Sequence, residues 1–209
     1  MRVRIAASLV IGALLIVVGL DRGTSPSAAP GQKPTKQRTI HIDGGRGAPP
    51  TLEQWWAISP LVVDATVQRD RPLDRTLSNV PDTVIQTAYE LHVNEVFRDV
   101  ARAADKRVEF VQRGGDRDNG DYIDSVEEEG FPRLRVGERY VFFLKPSRYN
   151  PGTYVTATDT PDSLVLLAPD GRVIARGHSN MAAKVERFNR EELLNFLRSL
   201  KEVVPVLPG

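Results

Sequence analysis

An acidic stretch at residues 116–129 is the part of the sequence best supplied with side chains that could bind a metal ion. Calcium prefers several hard oxygen ligands from a tightly curved loop. In the register of an EF-hand loop, four carboxylates fall at ligand positions: Asp116, Asp118, Asp124 and Glu127. Gly120 and Asp121, however, stand in the reverse of the order that the EF-hand turn needs. The stretch therefore indicates either a solvated acidic loop within residues 116–133, or a calcium or metal-assisted hydrolase site outside the EF-hand class.

Other chemistry-bearing side chains are few and far apart. The histidines are His41, His92 and His178, and no two of them have the short spacing of paired zinc ligands. The chain has no cysteine, which excludes disulfides, thiolate metal sites and a cysteine nucleophile. It also lacks a Gly-x-Ser-x-Gly nucleophile elbow and a glycine-rich phosphate loop. We therefore expect no cofactor apart from the calcium considered above, and we favour a role that is not enzymatic.

A tryptophan pair is the most prominent aromatic feature. Trp55 and Trp56 follow Thr51, a candidate N-cap for a short helix that Pro60 would end. Adjacent residues on a helix point about 100° apart, so one ring could be buried and the other partly exposed. An exposed tryptophan would suit a partner surface, whereas burial is the more common role of its large apolar ring. The pair is thus a candidate for packing and, second, for partner binding.

The charge balance argues against nucleic acid as a partner. The chain holds 28 Lys and Arg against 27 Asp and Glu, for a formal net charge of +1. Residues 1–22 contribute three arginines and one aspartate, so the rest of the chain carries −1. A domain so close to neutral has no general field to attract nucleic acid or an anionic membrane.

An apolar segment at residues 5–20 follows a short basic start and predicts export. The segment has no charged residue, and its 16 positions suit a signal peptide slightly better than a full membrane span. We predict that residues 1–22 are a signal peptide or signal anchor, and that residues 5–20 are the only membrane contact. The rest would lie outside the cytosol, as a periplasmic, secreted or outward-facing anchored domain. Residues 23–50 hold five prolines and five glycines and predict a flexible linker, in which only 39–42 could add a short strand.

Period-two alternation dominates residues 51–180 and predicts a mainly β domain. The longest alternating segment, 83–97, loses its register at Asn94 and Glu95, which indicates a β-bulge in a coiled strand. Such a strand suits a small five-stranded barrel. The segments predicted as strands are 61–68, 83–97, 107–112, 140–144, 154–158, 163–167 and 173–175, and residues 69–82 are predicted to be a loop.

The C-terminal residues 181–209 predict an amphipathic helix and tail that pack on the barrel. Asn189 and Glu192 have the spacing of a capping box, and Pro205 would stop the helix. Its apolar stripe recurs at helical spacing and must cover an apolar surface; the stripe consists of Leu193, Phe196, Leu197 and Leu200.

The order of these segments resembles a known pattern. A short helix leads into ISPLVVDATV, a long bulged strand, RVEFVQRGG, a Gly-containing loop, VGERYVFFL and a closing hairpin. Over residues 51–175 this is similar to bacterial exported domains related to tissue inhibitors of metalloproteases and netrin-type modules. The resemblance implies a five-stranded barrel of the oligonucleotide/oligosaccharide-binding (OB) class. The inhibitors act through an N-terminal cysteine, which this chain lacks, so their mechanism is not carried over to any residue here.

Together these features predict an extracytoplasmic, non-enzymatic binding module. Its expected partner is an extracytoplasmic protein, peptide or glycan. The alternatives are a metal-assisted hydrolase or calcium-binding protein that uses residues 116–129, and a membrane-anchored structural domain.

Overall fold

The computed structural model describes residues 36–42, 51–73, 85–100, 105–118, 120, 122–128, 131–158, 160–177 and 179–203. All of them belong to one compact unit, Thr35–Gly209. The predicted export segment 1–22, most of the predicted linker 23–50, His178 and Pro205 lie outside the described residues. Of the helices described, none combines the length and apolarity needed to cross a membrane.

Strands dominate the described residues. The ten strands in them are β1 (Lys36–Ile42), β2 (Leu61–Leu73), β3 (Gln86–Asp99), β4 (Arg107–Arg113), β5 (Gly115–Asp118), β6 (Tyr122–Glu128), β7 (Arg139–Pro146), β8 (Tyr154–Thr156), β9 (Leu164–Leu167) and β10 (Val173–Ala175). The helices among them are α1 (Leu52–Ile58), a short 3-10 turn (Pro161–Ser163), α2 (Asn180–Val185) and α3 (Arg190–Val203).

Five strands close into a barrel in the order β2-β3-β4-β8-β7. Neighbours are antiparallel except for β4 and β8, which meet in parallel at Phe110 and Tyr154. The ring closes because β7 pairs with β2 on one side and, at Leu144 to Thr156, with β8 on the other. The β9–β10 hairpin extends from the first half of β7. This confirms the predicted OB-like barrel with a short helix before it and a helix after it.

The barrel interior is apolar, as the alternation in β2 and β3 predicted. One side of each strand faces inward, and aromatic rings fill the centre, with Phe110 5.6 Å from Phe142 between ring centroids. The buried residues of this cluster are Leu61, Val63, Ala65, Val67, Tyr89, Leu91, Val108, Phe110, Leu134, Tyr140, Phe142, Leu144 and Leu164.

A second apolar layer covers part of the barrel's outer surface. Here α1, α2 and α3 pack on the outward side chains of β2 and β7, and Trp55 stacks on Phe143 at 5.5 Å between ring centroids. The alternation in β2 predicted that Val62 and Asp64 face solvent, and this was wrong, since both are fully buried. Period two separates the two faces of a strand, but it does not show which outer face a helix will cover.

Strand β2 is longer than predicted and changes character along its length. Residues 69–73 continue the strand where a loop was predicted, and the charged side chains of Arg69, Asp70 and Arg71 are exposed. A register shift between Val67 and Arg69 separates the two halves. The bulge predicted in β3 is confirmed, because Asp64 pairs with Glu95 and Ala65 with Val93, which leaves Asn94 between them.

The acidic segment forms a hairpin and not the predicted loop. Strands β5 and β6 pair antiparallel, and β1 adds to β6 in parallel inside the segment expected to be linker. Gly114 and Gly115 enter the hairpin with φ of +99° and +130°, and a Cβ at Gly115 would lie 2.4 Å from Thr87 Oγ1. Glycine is therefore required there.

The helix ends follow the predicted capping pattern. Thr51 Oγ1 accepts a hydrogen bond from Gln54 N at 3.2 Å and caps α1. Glu192 N donates to Asn189 Oδ1 at 3.0 Å, and Asn189 N donates to Glu192 Oε2 at 2.8 Å, which completes the capping box of α3. The predicted stripe of α3 faces the outer layer, where Leu193, Leu197 and Leu200 are buried and Phe196 packs beside them.

Candidate functional site

A groove opens on the outer surface of the barrel. Its volume is about 430 Å³. Strands β2, β3 and β4 form its walls, and the loop between β7 and β8 contributes one edge. We call it the charged groove; its lining residues are Arg69, Arg71, Ala88, Glu90, Arg107, Val108, Glu109 and Gly152.

Strand register places the charges of the groove in rows. Arg69 pairs with Glu90 across β2 and β3, and Glu90 pairs in turn with Glu109 on β4. Directly paired residues project from the same face of a sheet, so all three point outward. Arg71 is level with Ala88, whose buried methyl group leaves room beneath the longer side chains.

Three ion pairs cross the groove. Two arginines share Glu90. Arg69 donates a short hydrogen bond to its carboxylate, and Arg107 forms an ion pair with it at 3.2 Å. Arg71 pairs with Glu109. The hydrogen bond from Arg69 lowers the pKa of Glu90, and the charge of Arg107 adds to the effect. Glu90 is thus held ionised, and the groove presents three guanidinium groups around two carboxylates.

The β7–β8 loop forms a stable edge for the groove. Ser147 N donates to Thr153 O at 2.9 Å, and Thr153 Oγ1 donates to Asn150 O at 2.7 Å. Asn150 Nδ2 contacts Gln86 Oε1 at 3.4 Å and thereby links the loop to β3. Gly152 has a φ of +80°, and no protein atom lies within 4 Å of where its Cβ would be. A side chain there would project into open space.

A further ion pair joins Asp64 of β2, which is fully buried, to Arg139 of β7, whose side chain is 36% exposed. Arg139 Nε donates to Asp64 Oδ1 at 2.8 Å, and Arg139 also pairs with Asp64 Oδ2. Asn94 Nδ2 donates to Asp64 Oδ1 at 3.1 Å and to Thr66 Oγ1 at 3.0 Å. The hydrogen bond to Asp64 raises the pKa of Arg139. Every contact of this carboxylate ties one barrel strand to another, so the pair stabilises the fold.

The residues proposed as calcium ligands lie on two faces of the β5–β6 hairpin. Asp116 is paired with Ser125, whereas Asp124 is paired with Arg117, so the two carboxylates project from opposite faces. Arg133 donates two hydrogen bonds to the carboxylate of Asp116, at 2.6 and 2.7 Å.

The other two proposed ligands do not gather around Asp116 either. Asp118 Oδ1 accepts from Gly120 N at 2.7 Å and closes the turn, and Glu127 is exposed on β6. Within the described part of the chain, no three His, Asp or Glu residues are placed to hold a metal ion. His92 is exposed on β3, and His41 lies in β1.

Both tryptophans are core residues. Trp55 and Trp56 are 0% and 2% exposed, because α1 lies flat on the outer layer of the barrel. An exposed partner surface at these rings, one of the two roles considered, is therefore ruled out by their burial.

Sequence reasoning misses the charged groove because it predicts a loop at residues 69–82. The available signal is the order Arg69-Asp70-Arg71, which sets two cations around an acid directly after the apolar half of β2. Glu90 lies on the side of its strand opposite the inward-facing Tyr89 and Leu91. Arg107 and Glu109 alternate with Val108 in the same manner.

Comparison with known proteins does not assign the chain to a family. Neither a family model nor a curated protein matches the chain.

Proposed function

We propose that this protein is a non-enzymatic binding module that acts outside the cytosol and holds its ligand in the charged groove. The observation that carries the proposal is the groove itself, a recess of about 430 Å³ whose walls bear five charged side chains. Ligand sites are usually clefts of about 300–1,000 Å³ in which a few placed polar groups fix the ligand.

The position of the groove supports this role. Barrels of the OB class bind ligands on the face formed by their second and third strands, beside the loop between the fourth and fifth. In this barrel those strands are β3 and β4, and that loop is residues 147–153, which include Gly152. This analogy concerns the fold alone, so it supports the place of binding and does not identify the ligand.

The extracytoplasmic setting rests on the composition of residues 1–22. An uncharged run of 16 residues after a basic start is typical of an export segment. The barrel reaches a closed, packed interior without any disulfide, so it needs no oxidant to fold there.

Site-specific photo-crosslinking in the source cells tests the proposal. A photoreactive amino acid at position 107 lies in the groove, and one at position 172 is the matched control, because Arg107 and Arg172 have side-chain exposures of 73% and 72%. We expect a discrete adduct, identified by mass spectrometry, from position 107 and none from position 172. Equal adducts at both positions, or none at either, would contradict a groove-specific role.

Protease added to intact cells or spheroplasts tests the setting. In spheroplasts we expect the protease to digest the barrel while a cytosolic marker survives. In intact cells we expect the same result unless an outer membrane shields the barrel. Protection equal to that of the marker in spheroplasts would place the barrel inside the cell and contradict the proposal.

A further inference from the structure

We infer that the charged groove takes an extended acidic peptide segment of a partner protein, whose carboxylates bind the guanidinium groups of Arg69, Arg71 and Arg107. The inference rests on the proposed function and adds the chemical class of the ligand. The choice of an acidic peptide follows from the exposure, the number and the spacing of the charged side chains that line the groove.

The arginines project further from the barrel than the glutamates do. The side chains of Arg69, Arg71 and Arg107 are 70%, 54% and 73% exposed. Those of Glu90 and Glu109 are only 24% and 34% exposed. A ligand that approaches the groove therefore meets guanidinium groups first, with the carboxylates recessed between them.

Positive charge is also in excess. Glu90 serves both Arg69 and Arg107, and Glu109 serves Arg71, so three cations share two anions. Exposed ion pairs contribute little to stability, because water competes for both partners. A ligand carboxylate can therefore replace one of these contacts at small cost, and the planar guanidinium binds it with two parallel hydrogen bonds.

The spacing of the arginines favours a peptide over a small anion. Arg69 and Arg71 stand two positions apart on one strand, so their Cα atoms are separated by roughly 6.6 Å. Alternate side chains of an extended peptide repeat at the same distance. A single phosphate or sulfate would bind one of these arginines, whereas a segment with acidic residues at every second position would bind both.

Titration of the purified full chain with fluorescent peptides tests the inference. The probe is a short peptide of alternating Glu and Thr, since threonine favours an extended backbone. The matched controls are the same peptide with Gln or with Lys in place of Glu. We expect the Glu peptide to bind at least about ten-fold more tightly than the Gln peptide, with an affinity that falls as salt is added.

Charge reversal locates the binding. Arg107→Glu should weaken binding of the Glu peptide about ten-fold or more. Arg172→Glu is the control, because Arg172 is equally exposed and is also paired with a carboxylate, that of Asp170. The triple variant R69E/R71E/R107E should reverse the preference and bind the Lys peptide over the Glu peptide.

Three outcomes would overturn the inference. They are equal binding of the Glu and Gln peptides, equal losses in Arg107→Glu and Arg172→Glu, and a sulfated polysaccharide that binds the groove about ten-fold more tightly than the Glu peptide. If a crosslinked adduct forms at position 107 and any of these outcomes is observed, the acidic peptide is rejected as the ligand and the proposed function is retained. If no adduct forms at position 107, both the acidic peptide ligand and the proposed function are rejected.

Discussion

Strand β2 carries an arginine–carboxylate pair in each of its halves, and the two pairs differ in almost everything except their chemistry. Asp64 is fully buried and is held by Arg139 and Asn94. Five positions further along, Arg69 is largely exposed and its partner Glu90 is shared with a second arginine. The same strand thus holds the fold together with one pair and presents the other to solvent.

Under the proposed function, this contrast divides one barrel surface between stability and recognition. Removing one partner of a buried pair leaves an uncompensated charge in a poorly solvated place, which is costly. Removing one partner of an exposed pair changes stability little, since water takes its place. Substitutions in the covered half should therefore change the free energy of unfolding, and substitutions in the groove should change binding.

The largest expected effect is in the outer layer that covers the first half of β2. Trp55→Ala should lower the free energy of unfolding by about 4 kcal/mol, because it empties a fully buried site against Phe143. Ile58→Ala is the control on the same helix, where the side chain is 48% exposed. Urea unfolding, followed by circular dichroism, measures the free energy of unfolding of both variants. Similar decreases in the two variants would contradict the packing of Trp55 in the core.

The buried pair itself should rank second. Asp64→Ala should cost about 3 kcal/mol, because Arg139 and Asn94 lose their shared acceptor. Asp70→Ala, at an exposed position of the same strand, should cost no more than about 0.5 kcal/mol.

A double-mutant cycle sharpens this result. If the pair acts as a unit, Asp64→Ala with Arg139→Ala should cost clearly less than the sum of the single changes. Additive losses in urea unfolding would show that Asp64 acts through contacts other than Arg139.

An exposed pair outside the groove provides a smaller test with a defined pH range. Hydrogen bonds from Arg133 and Ser125 lower the pKa of Asp116 from 3.8 to about 2. The stabilisation is therefore complete above pH about 4 and disappears as the pH falls towards 2, where the folded protein also binds the proton. The side chain is about half exposed, so we expect no more than about 1 kcal/mol.

Asp116→Asn should remove this part of the pH dependence. Wild type and variant should differ in the free energy of unfolding at pH 5 by about 1 kcal/mol, and should converge near pH 2. Asp118→Asn, on the same face of the hairpin, is the control. A difference that grows towards low pH would contradict the assigned direction of the pKa shift.

Much of the fold could be predicted because local signals agreed with the tertiary structure. Alternation located the strands of the barrel, the break at Asn94 located the bulge, and Asn189 with Glu192 located the start of α3. The acidic hairpin could not be predicted, because its charges oppose a sheet until Arg133 comes in from another segment to neutralise Asp116. Such long-range compensation leaves no local pattern.

The candidate site was harder to predict than the fold. The tryptophans drew attention because they are rare and large, but a ring's exposure depends on how α1 lies on the barrel. The groove needs Arg69, Glu90 and Arg107 to meet across three strands, and only the register brings them together. A charged strand end such as Arg69–Leu73, directly after an apolar half, is a signal that could have indicated it.

Arg71→Glu, measured for both stability and binding in one preparation, tests the division of β2 most directly. We expect a melting temperature within about 2 °C of wild type, since the side chain is exposed. We also expect at least about ten-fold weaker binding of the alternating Glu peptide. A melting temperature lowered as much as by Asp64→Ala, with binding unchanged, would contradict this division of β2.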